Sequence, residues 1–126
     1  MSKVLIVDDE PLIRILLEQS LEEFVDHGVS ILTAENGLEA IEIIKKERPE
    51  LVFLDVMMPK MNGFEVCNMV KKELQFKDIC IVMVTAKGQE QDKIKAEEVG
   101  TDYYITKPFS IRDVINKVSE ILKIEL

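Results

Sequence analysis

Four consecutive apolar residues, Leu51, Val52, Phe53 and Leu54, run straight into Asp55 and then Val56-Met57-Met58-Pro59. The run is too short for a helix and carries no polar alternation, so it predicts a strand buried on both faces, the pattern of a parallel sheet. Asp55 falls at the carboxyl end of that strand, where the loops of an open α/β sheet converge on a crevice. Pro59 and Asn62-Gly63 mark the loop that follows. An Asp in such a place also serves simply to cap a turn, and the remainder of the chain decides between the two roles.

Four further segments read as strands. Lys3 to Val7 stops at Asp8-Asp9-Glu10-Pro11, with the proline placed for the first turn of a helix, and Ile13, Leu16, Leu17, Leu21 and Phe24 then recur at helical spacing up to His27-Gly28. Val29 to Ala34 reads as a second strand. Asn36-Gly37-Leu38-Glu39 has the form of a capping box before Ala40, Ile41 and Ile44, and Pro49 closes that helix. Asn62 with Glu65 caps a third helix, which carries Val66, Cys67, Val70 and Leu74. Ile79 to Val84 is the fourth strand, ending in Thr85-Ala86. The helix after it, from about Gln89 to Val99, has only Ile94, Ala96 and Val99 as its apolar stripe, which predicts weak docking and mobility. Asp102 to Thr106 makes a fifth strand leading to Lys107-Pro108-Phe109, and Ser110 with Asp113 caps a last helix with a complete stripe from Ile111 to Leu122. Alternating strands and helices imply a parallel sheet covered on both faces through right-handed crossovers. The five units occupy residues 1–126 as a single domain and leave none over for a second.

Composition removes several classes of function. Sixteen basic against 24 acidic residues give a net charge of -8, the wrong sign for binding nucleic acid or anionic lipid as a main task. No apolar run approaches the roughly 18 residues of a membrane span, and the N-terminus lacks the form of a signal peptide, so a cytoplasmic protein is expected. Cys67 and Cys80 are not at a metal-ligand spacing and each sits in an apolar segment, as small buried hydrophobes do.

The strand ends deliver Asp8 and Asp9, Asp55, Thr85 and Lys107 to one edge of the sheet. Singly, each has an ordinary explanation in capping, strand termination or solvation. Together they do not, because carboxylates about 4 Å apart repel by around 4 kcal/mol per pair at an effective dielectric of 20. A divalent cation relieves this, and a set of oxygen ligands without His or Cys selects a hard ion such as Mg²⁺. A cation, a lysine and a hydroxyl around one carboxylate are what phosphoryl transfer to that carboxylate requires, with Asp55 as nucleophile.

With Val4-Leu5-Ile6-Val7-Asp8-Asp9-Glu10, Asp55-Val56-Met57-Met58-Pro59, Asn62-Gly63, Thr85-Ala86 and Lys107-Pro108-Phe109 in this order, the chain resembles, over essentially its whole length, a response-regulator receiver domain of bacterial two-component signalling, of the stand-alone, chemotaxis-regulator kind. The resemblance implies a flavodoxin-like (βα)5 three-layer sandwich with sheet order 2-1-3-4-5, a fold for which a chemotaxis receiver is a standing example. It implies a signalling protein that assists only its own phosphorylation and dephosphorylation. Asp55 would accept phosphate from a histidine kinase or phosphotransfer protein of a phosphorelay. Asp8, Asp9, Asp55 and the backbone carbonyl of Met57 would hold Mg²⁺, Asp8 directly or through water. Lys107 would pair with the phosphate, Thr85 would bond to it, and Tyr104 would act as the switch aromatic. Pro108 would follow a cis peptide bond. Met57 and Lys87 would influence the water that removes the phosphate. Output to a downstream effector protein would run through the face of the fourth helix, fifth strand and fifth helix. That face also pairs the receivers of winged-helix transcription factors, and Lys93, Asp102, Asp113 and Lys117 match some of its charges. Tyr103 stands where an acidic residue is expected, so the chain is read as a monomer or a weak dimer, without direct contact to nucleic acid or membrane.

Two other classes share parts of this pattern. A phosphatase of the haloacid dehalogenase class uses a strand-end Asp with Mg²⁺ but needs a second Asp at the position of Met57, and a flavodoxin-type electron carrier needs a Ser/Thr/Gly-rich phosphate loop where Asp8-Asp9-Glu10 stands. Turnover of small phosphate esters would mark the first, and colour the second.

Overall fold

A computed structural model describes residues 2–86 and 90–126. Five strands, β1 (Lys3–Val7), β2 (Ser30–Ala34), β3 (Leu51–Asp55), β4 (Cys80–Ala86) and β5 (Tyr103–Lys107), form one parallel sheet in the order β2-β1-β3-β4-β5. This is the order expected from the sequence. The helices are α1 (Pro11–Ser20), α2 (Glu22–Val25), α3 (Gly37–Glu47), α4 (Gly63–Asn68), α5 (Glu90–Glu98) and α6 (Ile111–Leu122), and α4 runs on into a π-helical turn, Met69–Glu73.

Each strand buries alternate residues in opposite directions, and the two resulting cores are distinct. Leu5, Val7, Val52, Leu54, Ile81 and Met83 pack with Ala40, Ile44, Val66, Val70 and Ala96 beneath α3, α4 and α5. Val4, Ile6, Leu51, Phe53, Val82 and Val84 pack with Leu17, Leu21, Phe24, Val114 and Val118 beneath α1, α2 and α6. All five residues of β3 are buried, as a strand covered on both faces must be. Cys67 is buried and Cys80 half-buried, and burial pushes their thiols up to about 12 and about 11, so both stay protonated and behave as small hydrophobes.

The structure departs from the sequence expectation in two helices. The first expected helix is two, because the Ser20 hydroxyl donates to the Leu16 carbonyl at 2.8 Å and the chain tightens there, with the Leu21 amide bonding to Glu18. The fourth and fifth expected helices are therefore α5 and α6. The third continues through a π-helical turn, in which the Leu74 amide reaches the Met69 carbonyl, and apolar spacing alone does not distinguish this from an α-helical turn. Caps at Asn62 and Ser110 are complete capping boxes, and the Asn36 side chain accepts from the Glu39 amide at 2.9 Å. The start of the fourth expected helix at Gln89, and Lys87, lie outside the described residues. Among the described residues no helix is long and apolar enough to cross a membrane.

Of the α5 side chains, Ala96 is buried while Ile94 is 59% exposed. Removing a side chain from the middle layer should therefore cost far more than removing one from α5. In urea unfolding, Phe53→Ala is expected to lose about 3–5 kcal/mol, and Ile94→Ala to stay within about 0.5 kcal/mol of the parent. A comparable loss at both positions would contradict the weak docking of α5.

Candidate functional site

Strand register brings the predicted residues to one edge. Val7 pairs with Leu54, Asp55 with Val84, Thr85 with Thr106 and Ala86 with Lys107, so Asp8, Asp55, Thr85 and Lys107 lie within a few ångström steps of one level. The ladder persists to Asp8, whose amide bonds to the Ala34 carbonyl. Alternation then sorts them: Asp8, Asp55 and Lys107 continue the series of Ile6, Phe53 and Ile105 toward the α1/α6 face, while Thr85 and Tyr104 belong to the α3–α5 face.

The centre of the arrangement is the Lys107 ammonium. It stands 3.2 Å from Asp55 Oδ1, 3.4 Å from Asp8 Oδ2 and 3.7 Å from Glu10 Oε1. Asp55 is only 5% exposed, and burial, aided by the Asp8 charge and opposed by Lys107, pushes its carboxyl up to about 6. Asp8 is likewise raised, first by burial. Burial alone would lower Lys107, but the attraction of Asp55 and Asp8 outweighs it and its pKa is raised. The Lys107–Pro108 bond is cis.

Asp8 is fixed by its neighbours. Its Oδ1 accepts the Glu10 amide at 2.9 Å and its backbone carbonyl accepts from Arg14 at 2.6 Å, whose other nitrogen lies 3.7 Å from Glu35. Asp8 Oδ2 and the Thr85 hydroxyl are buried with no hydrogen-bond partner, although Lys107 stands close to the former. Oxygens of Asp8, Asp9 and Glu10 lie within 4.8 Å of one another, close enough to share a cation. A cavity of about 580 Å³ opens over the edge, lined by Asp9, Glu10, Asp55, Met57, Asp92 and Lys107 among others.

Two of these were not assigned roles from the sequence. Glu10 is the N-cap residue of α1 yet makes no capping bond, its carboxylate lying toward Lys107 instead; a cap-position Glu ahead of Pro11, poor at capping, was the available signal. Asp92 is one charge among many on α5, and nothing in the spacing marks it. Met57 is 76% exposed at the cavity. Tyr104, 37% exposed, lies toward solvent with the Lys93 ammonium 5.4 Å from its ring centre, while Tyr103 packs inward against the α1/α6 core.

The family model of the response regulator receiver domain matches residues 4–119. The chain is 44% identical over 121 residues to the probable transcriptional regulator ycf27 of Porphyra purpurea, covering 96% of this chain and 47% of that protein. It is also 44% identical over 122 residues to the alkaline phosphatase synthesis transcriptional regulatory protein PhoP of Bacillus subtilis (strain 168), covering 96% and 48%. The chain thus spans about half the length of the curated relatives it matches. The structure of the chemotaxis response regulator CheY4 of Vibrio cholerae superposes with a TM-score of 0.84 at 32% identity, over 96% of this chain and 98% of that one. A flavodoxin-like sheet ending in this acidic edge, with a family match over nearly the whole chain, leads to one conclusion: the chain belongs to the response-regulator receiver domains of two-component signalling.

Proposed function

We propose that this receiver is a phosphorylatable switch in which Asp55 accepts a phosphoryl group from a histidine kinase or phosphotransfer protein and the altered domain controls a partner protein. An Asp55 oxygen attacks phosphorus while the phosphorus–nitrogen bond of the donor's phosphohistidine breaks and the imidazole departs. The observation that carries this reading is a nearly buried carboxylate opening onto the cavity, with the Lys107 ammonium at 3.2 Å and, at the end of the neighbouring strand, a buried Thr85 hydroxyl without a hydrogen-bond partner. Lys107 then pairs with the phosphoryl oxygens, and the Thr85 hydroxyl donates to one of them.

The donor set fits Mg²⁺: it is all oxygen, its carboxylates crowd together, and Asp8 Oδ2 is buried without a hydrogen bond. Asp8, Asp9, Asp55 and the backbone carbonyl of Met57 would hold the ion, with Glu10 at the margin. Bound there, the ion supplies charge neutralisation for the phosphoryl group in transfer.

Thr85 and Tyr104 share one face of the sheet, which favours a switch in which movement of Thr85 toward the phosphoryl group lets Tyr104 turn inward and reshapes the surface of α5, β5 and α6. The domain acts in the cytoplasm, turns over no substrate of its own and itself touches neither nucleic acid nor membrane. Asp102 pairs with Lys71 at 2.8 Å, Asp113 serves the cap of α6, and the Lys117 ammonium lies 4.5 Å from the Tyr103 ring centre. Charges expected to join two copies are thus already engaged within one chain, which favours a monomer.

Acetyl phosphate with Mg²⁺ should add one phosphoryl group to the protein by intact mass. The adduct should be absent in Asp55→Asn and in excess chelator; an adduct persisting in either would overturn the assignment. A second expectation follows from the Asp55 carboxyl, raised from 3.8 to about 6. Between those values the folded protein binds the proton more tightly than the unfolded chain, so the ionised carboxylate costs stability that is absent at low pH and complete above about pH 6. In metal-free buffer near pH 7, Asp55→Asn should be more stable than the parent by on the order of 1–3 kcal/mol. The difference should disappear toward pH 4 in parallel denaturant titrations. A variant less stable at neutral pH would show Asp55 to be a stabilising ion-pair partner instead.

A further inference from the structure

The cavity above Asp55 is acidic on two sides. Asp9 and Glu10 line it from beyond β1, and Asp92 lines it from α5, beside Ala86 at the end of β4. In the sheet, β3 with Asp55 lies between these two strands. Lys107 is the one cation among the described lining residues, and its ammonium is drawn toward Asp55, Asp8 and Glu10. The acidic trio that suits a metal ion is on that same side. Among the described lining residues, positive charge therefore gathers toward β1, while a phosphoryl group entering the cavity meets the Asp92 carboxylate on the β4 side. Its repulsion grows with the charge the group carries.

We propose that Asp92 is a specificity-determining residue of this receiver, selecting among phosphoryl donors by their negative charge. The inference rests on Asp55 as the acceptor. Two small donors separate charge from chemistry. With acetyl phosphate, an Asp55 oxygen bonds to phosphorus as the phosphorus–oxygen bond to acetate breaks and acetate leaves with the electron pair. With phosphoramidate, the same bond forms as the phosphorus–nitrogen bond breaks and the protonated nitrogen leaves as ammonia. The first donor approaches as a dianion, the second, protonated on nitrogen, as a monoanion.

The test measures initial rates of adduct formation on the full chain at saturating Mg²⁺ by intact mass. Asp92→Asn should accelerate phosphorylation by acetyl phosphate roughly three- to tenfold and by phosphoramidate only about twofold. The gain with acetyl phosphate should shrink toward unity in molar salt, where the screening length falls to about 3 Å. Glu97→Gln makes the same charge change on the same helix at a residue that does not line the cavity, and should leave both rates unchanged. Equal acceleration for both donors at every salt concentration, no acceleration, or a matching effect of Glu97→Gln would overturn the proposal while the adduct on Asp55 still formed. Absence of any adduct on Asp55 in the parent would instead sink the acceptor reading, and this inference with it.

Discussion

Two carboxylates, Asp8 and Asp55, are buried at adjacent strand ends and, among the described residues, share a single ammonium, that of Lys107. Burial makes each charge expensive, and proximity makes the pair more so. The raised carboxyls of both residues and the raised ammonium express the same imbalance from its two sides. Such an edge is tolerated because the sheet below it is apolar on both faces, from Val4 and Leu51 up to Val7 and Leu54. Under the function proposed above, a cation held beside these carboxylates would offset their charge and let Asp55 accept an anionic group.

Close packing holds Asp55 in place. A Cβ on Gly63 would fall 2.3 Å from the Asp55 carbonyl oxygen, and one on Gly37 would fall 2.1 Å from the Met61 carbonyl oxygen. Only glycine allows the starts of α3 and α4 to approach the Asp55–Asn62 loop so closely. The Gly63 amide completes the clamp by donating to the Val56 carbonyl at 2.9 Å. The loop that presents Asp55 is therefore gripped on both sides, whereas α5 across the cavity has Ala96 buried and Ile94 in solvent. In the proposed switch, a closely packed Asp55 loop beside a helix with a narrow buried stripe would let charge at one site change shape at the other.

The sheet was legible because its signal is local and redundant: five strand-like segments alternating with helical spacings, four of them delivering polar residues to one edge, and caps at Asn36, Asn62 and Ser110 that the structure forms. The convergence of Asp8, Asp55, Thr85 and Lys107 followed from parallel topology, since such a sheet carries all its strand ends to one edge. What escaped was whatever depends on side-chain reach across elements. Glu10 turning from its cap toward Lys107 and Asp92 lining the cavity from α5 are set by tertiary geometry, with no period in the sequence to mark them. The break at Ser20 and the π-helical turn after Asn68 escaped for a different reason, because apolar spacing continues through both.

The charge imbalance at Asp55 is open to direct observation. Carbon-13 NMR titration of the aspartate carboxyls in the metal-free protein, assigned with Asp55→Asn, follows this group alone. Its midpoint is expected at about 6, and it should fall when Mg²⁺ is added, because a cation beside a carboxylate favours the ionised form. A midpoint at the ordinary aspartate value of about 3.9, unmoved by Mg²⁺, would contradict a buried, undercompensated carboxylate.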